Sequence, residues 1–283
     1  MLKTALYPFQ SKYFKTQFGK IHYIDEGQGE VILFVHGTPT WSFLYRNYIK
    51  NLSKNYRCIA LDNFGFGLSD KLTDEFCNPE FHNKLLTGFI KELGLNEINL
   101  VVHDFGGVIG LPYAIDNIDN IKKIVIFNTW LWSNKNNIDV IKIDKIIKSK
   151  LGKFLYLNLN FSLKVLLKKA FYNKSKLTNE LHKHYLLPFP NKQSRKGLYD
   201  IALSLNGSSD WYESYWEKAD VLNKKEILFL WGMKDKFINE KYLNIWLEKI
   251  KKPVLHKYDC GHFVQEEMFE ESILDLNKFL ESN

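Results

Sequence analysis

Short apolar runs alternate with longer amphipathic stretches along most of this chain. Val31–Val35, Tyr56–Leu61, Ile98–Val102 and Ile121–Phe127 have the length and apolar content of buried strands, and Phe43–Leu52 and Pro79–Leu93 carry helical spacing between them. Strands separated by helices predict an α/β fold with a mostly parallel central sheet flanked by helices. The alternation resumes late, with Glu226–Trp231 and Val254–Tyr258 as strands, Glu240–Lys249 as a helix and Glu266–Leu280 as a closing helix. From about Ser133 to Trp216 the apolar residues recur only at helical spacing (Ile138, Ile141, Ile146, Ile147; Leu163, Leu166, Leu167), and Pro188-Phe-Pro190 interrupts them. The expectation is a core domain made of residues 1–132 and 217–283, with residues 133–216 inserted as a helical cap. There is no internal repeat and no low-complexity linker.

A chain of 283 residues that is 45% hydrophobic and 15% aromatic can bury about 75% of its unfolded surface, enough for one large core and an insertion. The net charge of +7 is uneven: residues 133–217 hold 15 Lys and Arg against 7 Asp and Glu. These charges are nearly all Lys, scattered among Asn and apolar residues without a nucleic-acid-binding module. They read as solvated helix faces, and no nucleic-acid partner is expected. No run approaches the roughly 18 apolar residues of a membrane span, and Met1–Phe18 lacks the apolar stretch and cleavage site of a secretory leader. A soluble, cytoplasmic protein without a membrane partner is expected. Cys58, Cys77 and Cys260 are odd in number and lack C-x-x-C spacing, which argues for reduced thiols and against a zinc site.

In an open α/β sheet the ligand site lies outside the carboxyl ends of the strands. His36-Gly37-Thr38-Pro39 follows the strand ending at Val35, Asp104 the one ending at Val102, and Asp235 and His262 lie just beyond those ending at Trp231 and Tyr258. Asn99-Leu-Val-Val-His-Asp-Phe-Gly-Gly-Val-Ile-Gly110 reads as a buried strand entering a helix through a glycine-lined turn with Asp104 at its apex. Serine usually occupies such an elbow. A carboxylate attacking an ester carbonyl would give an anhydride, whereas attack on a saturated carbon bearing a leaving group gives an alkyl ester that water can hydrolyse. Aspartate there points to C–X or epoxide opening. Taken alone, Asp104 could equally be a cap of the following helix. His262 is the candidate general base for water, and Asp235 is placed to accept its Nδ1–H and support the imidazolium. His22, His82, His182, His184 and His256 read as structural.

Five blocks in this order carry a family resemblance: His36-Gly-Thr-Pro-Thr-Trp-Ser-Phe-Leu-Tyr-Arg46, Asp62-Asn-Phe-Gly-Phe-Gly-Leu-Ser-Asp70, Val101-Val-His-Asp-Phe-Gly-Gly107, Gly232-Met-Lys-Asp235 and Gly261-His-Phe-Val-Gln-Glu266. They resemble the haloalkane dehalogenases within the α/β-hydrolase fold, over nearly the whole core domain. The resemblance implies an Asp104, Asp235, His262 triad in the chain order nucleophile, acid, base. It also implies an alkyl ester on Asp104, no cofactor or metal, and a small apolar organic substrate with water. The oxyanion hole would use the backbone N–H groups of Thr38 and Phe105, with Pro39 rigidifying its turn. Family members place the supporting acid after the strand here ending at Phe127 or after the next core strand, positions held here by Asn128 and Asp235. Two residues depart from the pattern. Phe105 stands where a tryptophan typically donates its indole N–H to the leaving halide, and Thr38 where many members have asparagine. Trp41, Trp130, Trp132, Trp211 and Trp216 are candidate substitutes, Trp130 and Trp132 foremost, although aromatic packing between cap and core is the favoured reading for them.

Epoxide hydrolases and lactone-cleaving relatives share the nucleophile, and some hydrolase-fold receptors bind ligands without turnover. Epoxide opening generally needs a pair of cap tyrosines, and Tyr156, Tyr172, Tyr185, Tyr199, Tyr212 and Tyr215 form no recognisable pair. The complete triad weighs against a receptor.

Overall fold

The apolar runs form the centre of one eight-stranded sheet in the computed structural model, which describes residues 4–71 and 74–282. Met1–Lys3, part of the stretch read above for a leader, lies outside the described residues, as do Leu72, Thr73 and Asn283. The strands are β1 (Lys12–Thr16), β2 (Gly19–Glu26), β3 (Val31–Val35), β4 (Arg57–Leu61), β5 (Ile98–Val102), β6 (Ile121–Phe127), β7 (Glu226–Gly232) and β8 (Val254–Tyr258). Their order is β1-β2-β4-β3-β5-β6-β7-β8, with β3 to β8 parallel and the β1–β2 hairpin running antiparallel against β4. Every residue of β3 and β5 is buried, because helices cover both faces at the centre of a parallel sheet. The hairpin escapes the pattern reading. β1 is a five-residue edge strand that alternates half-buried and exposed positions, leaving no apolar run to find.

Helix α1 (Arg46–Leu52) is preceded by a 3₁₀ turn at Ser42–Tyr45, so the Phe43–Leu52 pattern is two elements. α2 (Pro79–Glu92) starts where Asn78 accepts from Phe81 N–H and Pro79 occupies the first turn. α3 (Phe105–Asp116) is buried from Phe105 to Ile115, which explains its all-round apolar sequence. Between β6 and β7 the described residues contain helices and no strand: α4 (Ile138–Lys148), α5 (Lys150–Leu157), α6 (Leu167–Ala170), α7 (Asn179–Leu186), α8 (Lys196–Gly207) and α9 (Ser209–Trp216). α10 (Glu240–Lys249) returns to the sheet. The closing helix divides into α11 (Val264–Glu267) and α12 (Phe269–Glu281), because Met268 leaves the helical region at φ −130°, ψ 36°.

Leu163, Leu167, Phe171, Tyr185 and Phe189 join the sheet's own core, so this part of the helical segment is docked on the strands. A smaller core of Ile147, Tyr156, Leu157, Tyr199 and Ala202 holds α4, α5 and α8 together. A buried ion pair fastens the layers: Arg46 Nη1 and Nη2 donate to Glu266 Oε1 and Oε2 at 2.6 and 2.8 Å, and Tyr185 OH donates to the same carboxylate. Among the described residues no helix is long and apolar enough to cross a membrane. The three cysteines are free and buried, and burial pushes their thiols up.

Candidate active site

β5 delivers the chain to Asp104 and α3 begins one residue later. Asp104 has φ +53° and ψ −130°, outside the ordinary regions for a non-glycine residue and costing about 1–3 kcal/mol. The surroundings over-determine it: Asp104 N–H donates to Asn128 O at 2.9 Å, and Thr129 Oγ1 donates to Asp104 O at 2.5 Å. Close approach fixes the flanking glycines. A Cβ on Gly106 would stand 2.1 Å from Val35 O, and one on Gly37 2.2 Å from Asp104 Oδ1. The Asp104 side chain makes no capping hydrogen bond to α3, so the helix-cap alternative does not describe it.

His36 shapes the loop opposite. Its Nδ1–H donates to Gly37 O at 2.7 Å and its Nε2 accepts from Asn63 N–H at 2.9 Å, while burial lowers its pKa and keeps the ring neutral. The loop so held aims Thr38 N–H at Asp104 Oδ1, 2.6 Å away. The Phe105 amide is the first of α3 and has no acceptor within the helix. Thr38 Oγ1 is buried without a partner.

His262 completes the group. Its Nδ1 lies 2.6 Å from Asp235 Oδ2, its Nε2 3.5 Å from Asp104 Oδ2, and all three side chains are buried. Burial disfavours a charged imidazole, but the Asp235 and Asp104 carboxylates on its two nitrogens outweigh that and push its pKa up to about 10. Asp235 Oδ1 accepts Phe237 N–H at 2.8 Å. Asn128 brackets the Asp235 loop: it accepts from Gly232 N–H and donates to Gly232 O and Ile238 O, so its amide orients that loop and not the imidazole.

Several supports of His262 were not visible in the sequence. Its N–H donates to Ala170 O at 3.0 Å, and its carbonyl accepts from His103 Nε2–H at 2.9 Å, with the two rings 4.4 Å apart. Glu267 accepts from Gly261 N–H and Tyr172 N–H on Oε1 and from Asn173 N–H on Oε2. His103, Ala170 and Glu267 therefore hold His262 and its loop in place, and the only sequence signal was that His103 and Glu267 lie in or beside the quoted blocks.

The tryptophans separate. Trp130 is buried with its ring edge-on to Phe105, centroids 4.8 Å apart, and its Nε1 has no partner. Trp41 is buried among Tyr7 and Phe43, also with an unpartnered Nε1. Trp132 packs against Trp216, Tyr242 and Trp246, an aromatic cluster between the helical segment and α10. Trp211 lies against Tyr212 and Tyr215. The other histidines have partners or packing away from this group, among them His22 on Asp62 at 2.8 Å and His256 on Asp275 at 3.2 Å. No cluster of three or more His, Cys, Asp or Glu suited to a metal occurs among the described residues.

Residues 30–268 match the α/β hydrolase fold family. The haloalkane dehalogenase 2 of Mycobacterium tuberculosis is 31% identical over 81% of this chain and 80% of that protein. The cis-3-alkyl-4-alkyloxetan-2-one decarboxylase of Shewanella oneidensis is 31% identical over 99% of this chain and 91% of that protein. The structure of the haloalkane dehalogenase DatA from Agrobacterium tumefaciens superposes with a TM-score of 0.85 at 25% identity, covering 96% of each chain. That of the haloalkane dehalogenase DpaA from Paraglaciecola agarilytica gives 0.82 at 28% identity, covering 96% of this chain and 93% of that one. Sheet order, elbow and these matches agree: the chain belongs to the α/β hydrolase fold family.

Proposed function

We propose that the protein is a hydrolase that works through an alkyl ester on Asp104, most like a haloalkane dehalogenase. The observation that carries this reading is the Asp104 carboxylate at a strained elbow, with Oδ1 under the Thr38 N–H and Oδ2 facing a His262 already paired to Asp235. Asp104 Oδ2 bonds to an sp3 carbon of an apolar substrate as the leaving group departs with the bonding electrons. Water then gives a proton to His262 Nε2 and adds to the ester carbonyl carbon. The negative charge develops on Oδ1, which the Thr38 N–H already reaches at 2.6 Å and which the free amide of Phe105 at the start of α3 would also serve. Collapse expels the alcohol oxygen, which takes the proton from His262 Nε2, and the carboxylic acid left on Asp104 loses its proton to solvent, restoring the carboxylate; no step requires a cofactor. Ester formation removes the charge of Asp104, so the pKa of His262 falls at the stage where a base is needed. Residues 133–216 act as a cap over the core of residues 1–132 and 217–283, held there through Ala170, Glu267 and Tyr185.

Trp130 is the foremost candidate to hold the leaving group, since its buried N–H lacks a partner beside the donor-less Phe105. A second reading, opening of a strained lactone, is favoured by the same Phe105 and by the similarity to an oxetanone decarboxylase over almost the whole chain. There the leaving carboxylate stays tethered to the substrate and asks less of a donor.

His262→Phe tests the covalent step, because displacement needs only Asp104 whereas hydrolysis needs the base. Mass spectrometry of the intact variant after exposure to a short bromoalkane should show one added alkyl group, absent in the Asp104→Ala double variant. An unmodified single variant, or an adduct on another residue, overturns the assignment. Halide release from bromoalkanes, alkene from β-lactones or diol from epoxides then identifies the substrate class.

A further inference from the structure

The helices α4 and α5 carry apolar side chains that nothing covers. Inward, Val140, Ile147, Tyr156 and Leu157 are buried, and Tyr199 OH on α8 donates to Ile147 O at 3.2 Å. Outward, Ile146, Leu151 and Phe154 are 59%, 64% and 50% exposed, and Ile138, Ile143 and Leu159 are exposed with them. These six are nearly half of the thirteen exposed large hydrophobic residues among those described, where an ordinary surface scatters them singly. The helices abut at a tight corner, since a Cβ on Gly152 would stand 2.0 Å from Ile146 O. Ile146 and Leu151 therefore flank one corner.

Lysines are interleaved with this apolar group: Lys142, Lys145, Lys148, Lys150 and Lys153 are all exposed. Between Ile138 and Phe154 the acidic residues are Asp139 and Asp144, and Asp144 is buried and bonded to Lys148. Beside α5 a cleft of about 470 Å³ is lined by Lys153, Lys192 and Lys196, the last paired with Asp200, over Leu157 and Tyr199, a recess that is net basic with an apolar floor. A second copy of the chain docked face to face by a two-fold axis would set these lysines against one another. The charge calls for an anionic partner. Apolar side chains that insert singly, with long cationic side chains reaching outward around them, fit the headgroup boundary of a bilayer.

We propose that the outer side of α4 and α5 is a peripheral docking face for an anionic lipid surface. The expectation of no membrane partner came from the absence of a spanning run, and a face that lies on a bilayer needs none. The inference stands independently of the chemistry at Asp104.

Flotation of the full chain with vesicles tests it. The protein should float with equimolar phosphatidylglycerol and phosphatidylcholine, stay behind with phosphatidylcholine alone, and detach as salt is raised. An Ile146→Ser, Leu151→Ser, Phe154→Ser variant should lose at least about tenfold in partitioning. A Lys145→Glu, Lys150→Glu, Lys153→Glu variant should lose the preference for phosphatidylglycerol. Both change only exposed side chains, and circular dichroism verifies their folds. A wild type that does not float, or variants that float undiminished, overturns the proposal. So does light scattering in which the serine variant converts an assembled wild type into monomers, since the face would then join copies of the chain.

Discussion

Trp130→Phe separates a leaving-group donor from a packing residue. The Trp130 ring meets Phe105 edge-on at 4.8 Å and Tyr212 at 6.0 Å, and a phenyl ring keeps an aromatic face in both contacts while removing the N–H. A buried N–H without a partner costs about 1–3 kcal/mol, so removing it offsets part of the packing lost with the smaller ring, and the variant should fold. If Nε1 donates to the departing group, the lost bond to a developing anion is worth about 1.5–3 kcal/mol and displacement slows roughly 10- to 150-fold. Breakdown of the alkyl-enzyme, which no longer involves the leaving group, should be unchanged. Rapid-quench measurement of bromide release against alkyl-enzyme decay reads the two steps, and a urea midpoint controls for folding. A folded variant whose displacement rate stays within about twofold of wild type refutes the role and turns attention to Trp41 Nε1 and the Thr38 hydroxyl.

The converse change, Phe105→Trp, should speed bromide release from short bromoalkanes and leave ester breakdown unaltered; no gain in a folded variant means the site already has its donor. Asp235→Asn should leave ester formation intact and slow hydrolysis by roughly 10³- to 10⁴-fold, since shape is kept and the charge supporting the imidazolium is lost. Unchanged hydrolysis in single-turnover decay would remove Asp235 from the triad. NMR of the free protein should place the His262 titration near pH 10, whereas alkyl-enzyme breakdown should rise through a lower midpoint because the ester has no charge; coincident midpoints refute the coupling. The raised folded-state pKa also means that this interaction stabilises fully below about pH 6.5 and is lost as pH rises through about 10, a loss absent from urea unfolding of His262→Phe. Glu267→Gln puts an amide where Asn173 N–H needs an acceptor, so it should cost about 1–3 kcal/mol in urea unfolding and slow ester hydrolysis more than ester formation, and an unshifted midpoint would show that the tie is dispensable.

The sequence made the sheet and the candidate site readable for one physical reason: both are written in short contiguous blocks. β3 is an unbroken apolar run, and β5 and β6 are apolar except for Asn99 and for Lys122 and Lys123, because the strands are buried at the centre of the sheet, and their bounds appear directly in the chain. Asp104, Asp235 and His262 each stand just past such a run, so topology alone gathers them. β1 and β2 lacked that signature because an edge hairpin half in water needs no apolar run. The division of the last helix was hidden as well, since the apolar spacing continues through Met268 while its backbone does not. Trp132 shows the limit for single residues. It follows the same strand end as Trp130, yet the chain turns it towards Trp216 and Trp246.

The bonds that sequence could not supply are those that hold His262 and the loop around it, and they span long separations: 159 residues from His103 to His262, 94 from Asn173 in the helical segment to Glu267, and 220 from Arg46 to Glu266. No local pattern encodes a partner so distant. They also constrain motion. Lifting residues 170–173 away from the sheet would break the bond from His262 N–H to Ala170 O and the two bonds from Tyr172 and Asn173 to Glu267, disturbing the base itself. The segment therefore cannot open as one rigid lid without dismantling the site beneath it. Helices α4 and α5, held through the smaller core of Ile147, Tyr156, Leu157, Tyr199 and Ala202, carry no such bond to His262, whereas α8 is anchored to the sheet's own core by Leu198 and Ile201 and by Asp200 accepting Cys77 N–H, so rearrangement at low cost belongs to α4 and α5.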